Sequence, residues 1–271
     1  MRYSDQSKTD PTTYAPQLSN REFFAEIAKT CPAEQGAGAV LLIGANDERS
    51  QYIRRAQAPL RYDRRSSYFS HAALIARWVP EDPGRSVGVE VTLDPQDSAL
   101  QVPERNGATP FRLDRYFDAK RYPNVALVAL QLQAAPDLDQ SGNKTERSSA
   151  ERKRALVKAA CTPNLQRDVY PLWDGLATWS KYTYSVERSP NPLLESVPLP
   201  AAAFCEYAYA TIGIDITPGA ATNHTCPELL WATFVRWQES LEAQVASYET
   251  HLIVRDPQGI SQLPLSLEIE L

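Results

Sequence analysis

Tyr68-Phe-Ser-His-Ala-Ala-Leu-Ile-Ala-Arg-Trp78 is the stretch on which the fold turns. It follows a basic, tyrosine-containing connection over residues 47–67 and becomes almost wholly apolar, as a buried strand requires, with His71 at its start. Upstream, Val40-Leu-Leu-Ile43 between glycines reads as a short strand in the middle of a sheet. Downstream, beyond Pro80-Glu-Asp-Pro-Gly84, the run Val87-Gly-Val-Glu-Val-Thr-Leu93 puts Val87, Val89, Val91 and Leu93 on one face and Glu90 on the other. Pro123-Asn124 introduces a further strand over residues 125–132, preceded by a short helix within residues 113–121. These strands follow one another without long helical crossovers, so an α+β fold with a mostly antiparallel sheet is expected.

Helices are predicted on both flanks. Ser19-Asn20-Arg21-Glu22 ahead of Phe23, Phe24 and Ile27 has the form of a capping box opening an amphipathic helix. Residues 1–18 read as a flexible arm, and residues 1–35 as an arm with its helix preceding a domain over 36–271. Residues 137–200 change character, with a basic helix over 145–160 and proline-rich loops, and read as an insertion or lid. A helix over 200–212 closed by Gly213 and a longer one over 227–248, with Leu229, Leu230, Phe234 and Trp237 at helical spacings, should pack on the sheet. The tail suggests a terminal hairpin.

Composition narrows the function classes. A formal charge of −5 and a pI near 5.4 argue against a protein built to neutralise phosphates, so nucleic acid is not expected as a partner. No apolar run approaches the roughly 18 to 20 residues that span a bilayer, and the amino-terminal residues lack the apolar core of a secretory signal; synthesis in the cytoplasm is expected. Cys31, Cys161, Cys205 and Cys226 form no C-x-x-C pair and are too sparse for a disulfide framework. A calcium loop at Asp137-Leu-Asp-Gln-Ser-Gly142 fails because Ser148 stands where a bidentate Glu is needed, and His224 with Cys226 has no second ligand pair to complete a zinc site, so neither metal nor cofactor is expected.

The remaining chemistry gathers around one cysteine. In Asn223-His-Thr-Cys-Pro-Glu-Leu-Leu-Trp231, Pro227 suits the first helical position and puts Cys226 at the N-cap, where backbone N–H groups and the helix dipole favour a thiolate. His71 is the candidate general base and Glu90 the candidate for orienting it. For each residue a bland reading stands beside this one: a small buried thiol, a structural histidine at a strand edge, a carboxylate facing solvent. Cys205, in Phe204-Cys-Glu, is the internal rival, although the preceding alanines suggest that its helix has already begun. Trp173 and Trp179 fit either a substrate groove or the core.

In order along the chain, Gly38-Ala-Val-Leu-Leu, Ser70-His71-Ala-Ala-Leu-Ile, Val89-Glu90-Val and Cys226-Pro-Glu-Leu-Leu-Trp231 resemble the circularly permuted papain-like and NlpC-type hydrolases, which include YiiX-like and LRAT-like proteins. The pattern spans residues 36–237, with Ala39 where an Asp is usual and Pro227 where a small polar residue is usual. The resemblance implies a permuted papain-like core and a thiol hydrolase with catalytic Cys226, His71 and Glu90. It further implies amide bonds of peptides or peptidoglycan as substrate, an inhibitor or immunity protein as partner, and export by a route that needs no signal peptide. Two alternatives stay open: an LRAT-like lipid acyltransferase or thioesterase, and a papain-like binding module without catalysis.

Overall fold

Val40–Gly44 forms strand β1, and all five residues are buried, because the strand has neighbours on both edges and layers on both faces. The computed structural model describes residues 19–61, 64–92, 108–132, 135–138, 144–161, 172–183, 189–217, 224–239, 248–256 and 259–265. Strands β2 (His71–Arg77), β3 (Val87–Val91), β4 (Ala108–Arg112) and β5 (Asn124–Leu132) follow. They make an antiparallel core of order β4-β3-β2-β1-β5. Val40 pairs with Leu74 on one side and Val128 on the other, and Leu74 pairs with Val89, so one row of apolar side chains crosses the sheet. Ala135–Leu138 (β6) and Lys144–Arg147 (β7) form a separate hairpin. The tail supplies β8 (Tyr248–Asp256) and β9 (Gly259–Leu265), an antiparallel hairpin that extends the sheet beyond β5.

The six helices needed to describe the layers are α1 (Asn20–Thr30), α2 (Glu48–Ala56), α3 (Ser149–Ala160), α4 (Leu172–Thr183), α5 (Pro200–Ala210) and α6 (Pro227–Glu239). Alternation along each strand divides the sheet into two faces. Val40, Leu42, Ala72, Leu74 and Val89 pack with Leu156 of α3, Ala202 and Ala208 of α5 and Leu230, Trp231 and Phe234 of α6. Leu41, Ile43, Ala73, Ile75 and Val125 pack with Phe23, Phe24 and Ile27 of α1. The result is an antiparallel sheet covered on both faces, the α+β class expected. Among the described residues no helix is long and apolar enough to cross a membrane.

Local rules account for most helix ends. Ser19 accepts the Glu22 N–H and Glu22 reaches back to the Ser19 N–H, the reciprocal box legible in the sequence. Gly213 follows α5 with φ +74, a left-handed position that favours glycine. Gly44 is needed for a different reason: a Cβ there would lie 1.9 Å from the Tyr68 carbonyl oxygen.

Several boundaries differ from the sequence reading. The connection over 47–67 contains α2, whose start is capped by Asp47 accepting the Ser50 N–H at 2.9 Å. The helix expected from 145 begins at Ser149, because Ser148 and Glu151 form a second capping box and residues 144–147 are drawn into the β6–β7 hairpin. The helix expected within 113–121 is one 3-10 turn, Leu113–Tyr116. The strand expected to Leu93 stops at Val91, and Tyr248, expected to end the helix that is described over Pro227–Glu239, lies in β8. Leu93, the arm over 1–18 and residues 240–247 lie outside the described residues. Leu156 and Ala160, from the segment read as an insertion, belong to the core, as does Trp179, whose indole N–H donates to the Pro198 carbonyl at 2.9 Å. The Trp173 side chain lies outside the described residues.

Candidate active site

The end of β1, the start of β2 and the end of β3 lie at the same end of the sheet, as antiparallel neighbours must. There the chain leaves a cleft with about 630 Å³ of space free of protein atoms, the open mouth included. His71 lines it, with the start of α2, the turn bearing Arg115 and Tyr116, and Leu199, Pro200 and Ala201 at the start of α5. Asn20 of α1 fixes the far wall, its side-chain N–H groups donating to the carbonyls of Tyr116 at 2.7 Å and Tyr122 at 2.9 Å.

His71 Nε2 lies 2.8 Å from Glu90 Oε2. Glu90 is fully buried, and its carboxylate also accepts hydrogen bonds from the Tyr116 hydroxyl and the Arg115 guanidinium. Burial by itself pushes the Glu90 carboxyl up, but its bonds to His71 and Tyr116 and the nearby positive charges outweigh that and hold it below the usual carboxylate range. An ionised Glu90 can only accept, so His71 donates from Nε2 and Nδ1 is the basic nitrogen. Tyr116 is pushed well above the ordinary phenol value, by burial first and by the Glu90 charge next, and stays a neutral donor.

Cys226 has a different setting. It stands immediately before α6, as its sequence suggests, and the N–H groups of Leu229 and Glu228 favour its thiolate. Burial is the larger effect and pushes the thiol up to about 12, with the Glu228 carboxylate adding to it. Cys226 is fully buried among Ala72, Leu74 and Leu230, on the face of the sheet that α5 and α6 cover. His71 shares strand parity with Ala73 and Ile75, which belong to the opposite face. Cys226 does not line the cleft, and among the described residues no hydrogen bond joins it to His71. Leu199, whose N–H donates to the Thr225 carbonyl at 2.8 Å, does line it.

The glutamate after Cys226 has its own task. Glu228 accepts from Arg61 at 3.0 Å and from the Ser67 hydroxyl at 2.7 Å, while its backbone N–H donates to the Gln57 side chain at 2.8 Å. This buried network ties the start of α6 to the segment between α2 and β2. Cys205 is buried inside α5, past its first turn, and burial raises its thiol still further. Cys31 is pushed up to about 11 by burial, with Lys153 opposing the shift, and Cys161 is the exposed cysteine.

The cleft residues missed by sequence reasoning are Arg49, Arg115, Tyr116 and Arg121. Asp47 ahead of Ser50 was a legible capping signal for the helix that brings Arg49. Nothing local announces that Arg115 and Tyr116 meet a carboxylate on β3. Where the helix facing His71 begins, Pro200 has no N–H, and the Ala202 and Ala203 N–H groups both donate to the Leu199 carbonyl at 3.0 Å. That leaves the Ala201 N–H as the first-turn donor without an acceptor among the described residues. No group of three or more His, Cys, Asp or Glu side chains suited to a metal ion occurs among the described residues.

An imidazole oriented by a buried carboxylate, beside a helix start, can move a proton or grip a polar ligand. Comparison of the chain with family models, with curated proteins and with solved structures gives no match.

Proposed function

We propose that the chain is a permuted papain-like fold that has kept a ligand cleft and an oriented histidine without keeping a nucleophile beside it, and that it works by binding. One observation carries this reading: the cleft lined by His71 is faced by Leu199-Pro200-Ala201, whereas Cys226 is a fully buried thiol that does not line it, although Ile53, Val91 and Leu199 of the lining share its apolar cluster. The order of elements supports the papain-like part, with the His71 strand next to the Glu90 strand and helices packed behind them. Peptides are the ligand class that the resemblance suggests. The test is a turnover assay over a panel of peptide amides, esters and thioesters, using wild type, Cys226→Ala and His71→Ala. No turnover above background is expected; turnover lost in both variants would overturn the reading.

A second reading retains Cys226 as the nucleophile of an amide hydrolase acting on peptide or peptidoglycan, with His71 as base and Glu90 as its orienter. It is favoured by the position of Cys226 at the start of α6, with two backbone N–H groups turned to the sulfur. It requires the segment before α6 to move so that the sulfur enters the cleft, and the same panel decides between the two.

A further inference from the structure

The charge of the cleft runs against that of the chain. Arg49, Arg115 and Arg121 line it, and among the described residues the acidic one on its walls is Asp47. Both Asp47 oxygens are engaged at the start of α2, one by the Ser50 N–H at 2.9 Å and the other by the Ser50 hydroxyl at 2.7 Å. Glu90 lies behind the wall, fully buried and occupied by His71, Tyr116 and Arg115. Among the described residues that line the cleft three are arginines and one is acidic, in a chain whose formal charge is −5. A concave, partly dehydrated site concentrates such a local field, and guanidinium groups match the planar fork of an oxyanion better than any other side chain.

The lining also carries apolar side chains: Ile43, Ile53, Val91, Leu199 and Pro200. Arg121 is further held with its guanidinium 5.3 Å from the centre of the Tyr122 ring, which limits the freedom it would lose on gripping a ligand.

We propose that this cleft binds a small organic oxyanion, a carboxylate on an apolar stem, with the arginines of the lining taking the charge and its apolar side chains taking the stem. The inference rests on the non-catalytic reading above and gives it a ligand class. Carboxylate and phosphate share the recognised chemistry, and the stem distinguishes them: phosphate offers nothing to the apolar wall.

The full chain is titrated with sodium benzoate, benzamide and inorganic phosphate, following arginine Nε–H resonances by NMR at low and at physiological ionic strength. Benzoate is expected to shift the Arg115 and Arg121 signals saturably, at least ten-fold more tightly than phosphate, and to weaken with salt. Benzamide, equal in shape and uncharged, is expected to leave them unmoved. Arg121→Gln should weaken benzoate about ten-fold, with an unchanged melting temperature showing that the variant is folded; Arg49→Gln serves the same purpose if it is not. The proposal is overturned if benzamide binds as well as benzoate, if phosphate binds more tightly than benzoate, or if neither anion shifts these signals. Indifference to anions would leave the non-catalytic reading standing, whereas Cys226-dependent turnover in a chain that still binds benzoate would overturn that reading alone.

Discussion

His71 and Glu90 touch although they are not opposite each other in the sheet: Nε2 is 2.8 Å from Oε2, while the residue paired with Glu90 is Ala73. The contact is diagonal, two positions along the strand, a span that a long side chain can bridge. It forms because both residues point to the α1 face at the end of the sheet, where the Leu113–Tyr116 turn closes over them and dries the carboxylate.

Glu90 should therefore matter to stability as well as to the site. Replacing it by Gln removes a buried charge from Arg115 and His71 and is expected to cost about 2 to 4 kcal/mol at pH 7, read by urea unfolding. The folded carboxyl titrates below its ordinary value of 4.5, so this contribution is complete above that value and is lost as pH falls through the lower folded one. Wild type should lose stability between pH 5 and the acid limit more steeply than Glu90→Gln; parallel curves would show that the carboxylate is not held as described.

Thiol reactivity should follow exposure rather than helix position. With its thiol pushed up to about 12 by burial, Cys226 carries far less thiolate at neutral pH than an ordinary exposed thiol. Iodoacetamide under native conditions should modify Cys161 first and Cys226 only on unfolding. Peptide mapping that finds Cys226 modified first would favour the hydrolase reading.

A thiol placed at the start of α5 should behave differently. Ala201→Cys sets a sulfur on the cleft wall beside the orphan N–H of the first turn, in the same cleft as His71. Its thiol is expected to titrate below the ordinary 8.5 and to react at pH 7 about ten-fold faster than Cys161, an advantage reduced by adding His71→Ala. Equal rates with and without the imidazole would mean that His71 and position 201 do not communicate across the cleft.

Lys153 gives a test at the other end of the pH scale. Its ammonium donates to the carbonyls of Glu34 and Gln35 at 2.9 and 3.0 Å, and burial lowers its pKa from 10.5 to about 8. Between those values Lys153 is protonated in the unfolded chain and not in the folded one, so its own contribution to stability rises with pH, against the fall contributed by the raised thiols of Cys31, Cys205 and Cys226, and the cost of the buried charge is full below 8. Lys153→Met should abolish that slope; an unchanged slope in urea titrations from pH 7.5 to 10 would assign it elsewhere.

The sequence by itself determined strands β1, β2, β3 and β5, the tail hairpin, the antiparallel character of the sheet and the starts of α1 and the Cys226 helix, but not β4 or the β6–β7 hairpin, because the former depend on alternation and on neighbours within four residues. Val40, Leu74, Val89 and Val128 were legible as apolar positions on strands, and the ladder aligns them in one row. Asp47 and Ser148 carried cap signals that were legible but not read, so α2 was missed and α3 was begun too early. What only the tertiary structure decided is which face each reactive side chain serves. A period of two places His71 and Glu90 on one face of the sheet, but no local pattern says on which face the Cys226 helix will pack. That choice was made by burial of Leu230, Trp231 and Phe234 against Leu74 and Val89, and by the Arg61–Glu228 pair, all contacts between residues far apart in the chain. The same long-range closure brought Arg115 and Tyr116 to Glu90 and left Pro200 and Ala201 on the cleft wall with His71, which sets the chemistry of the site.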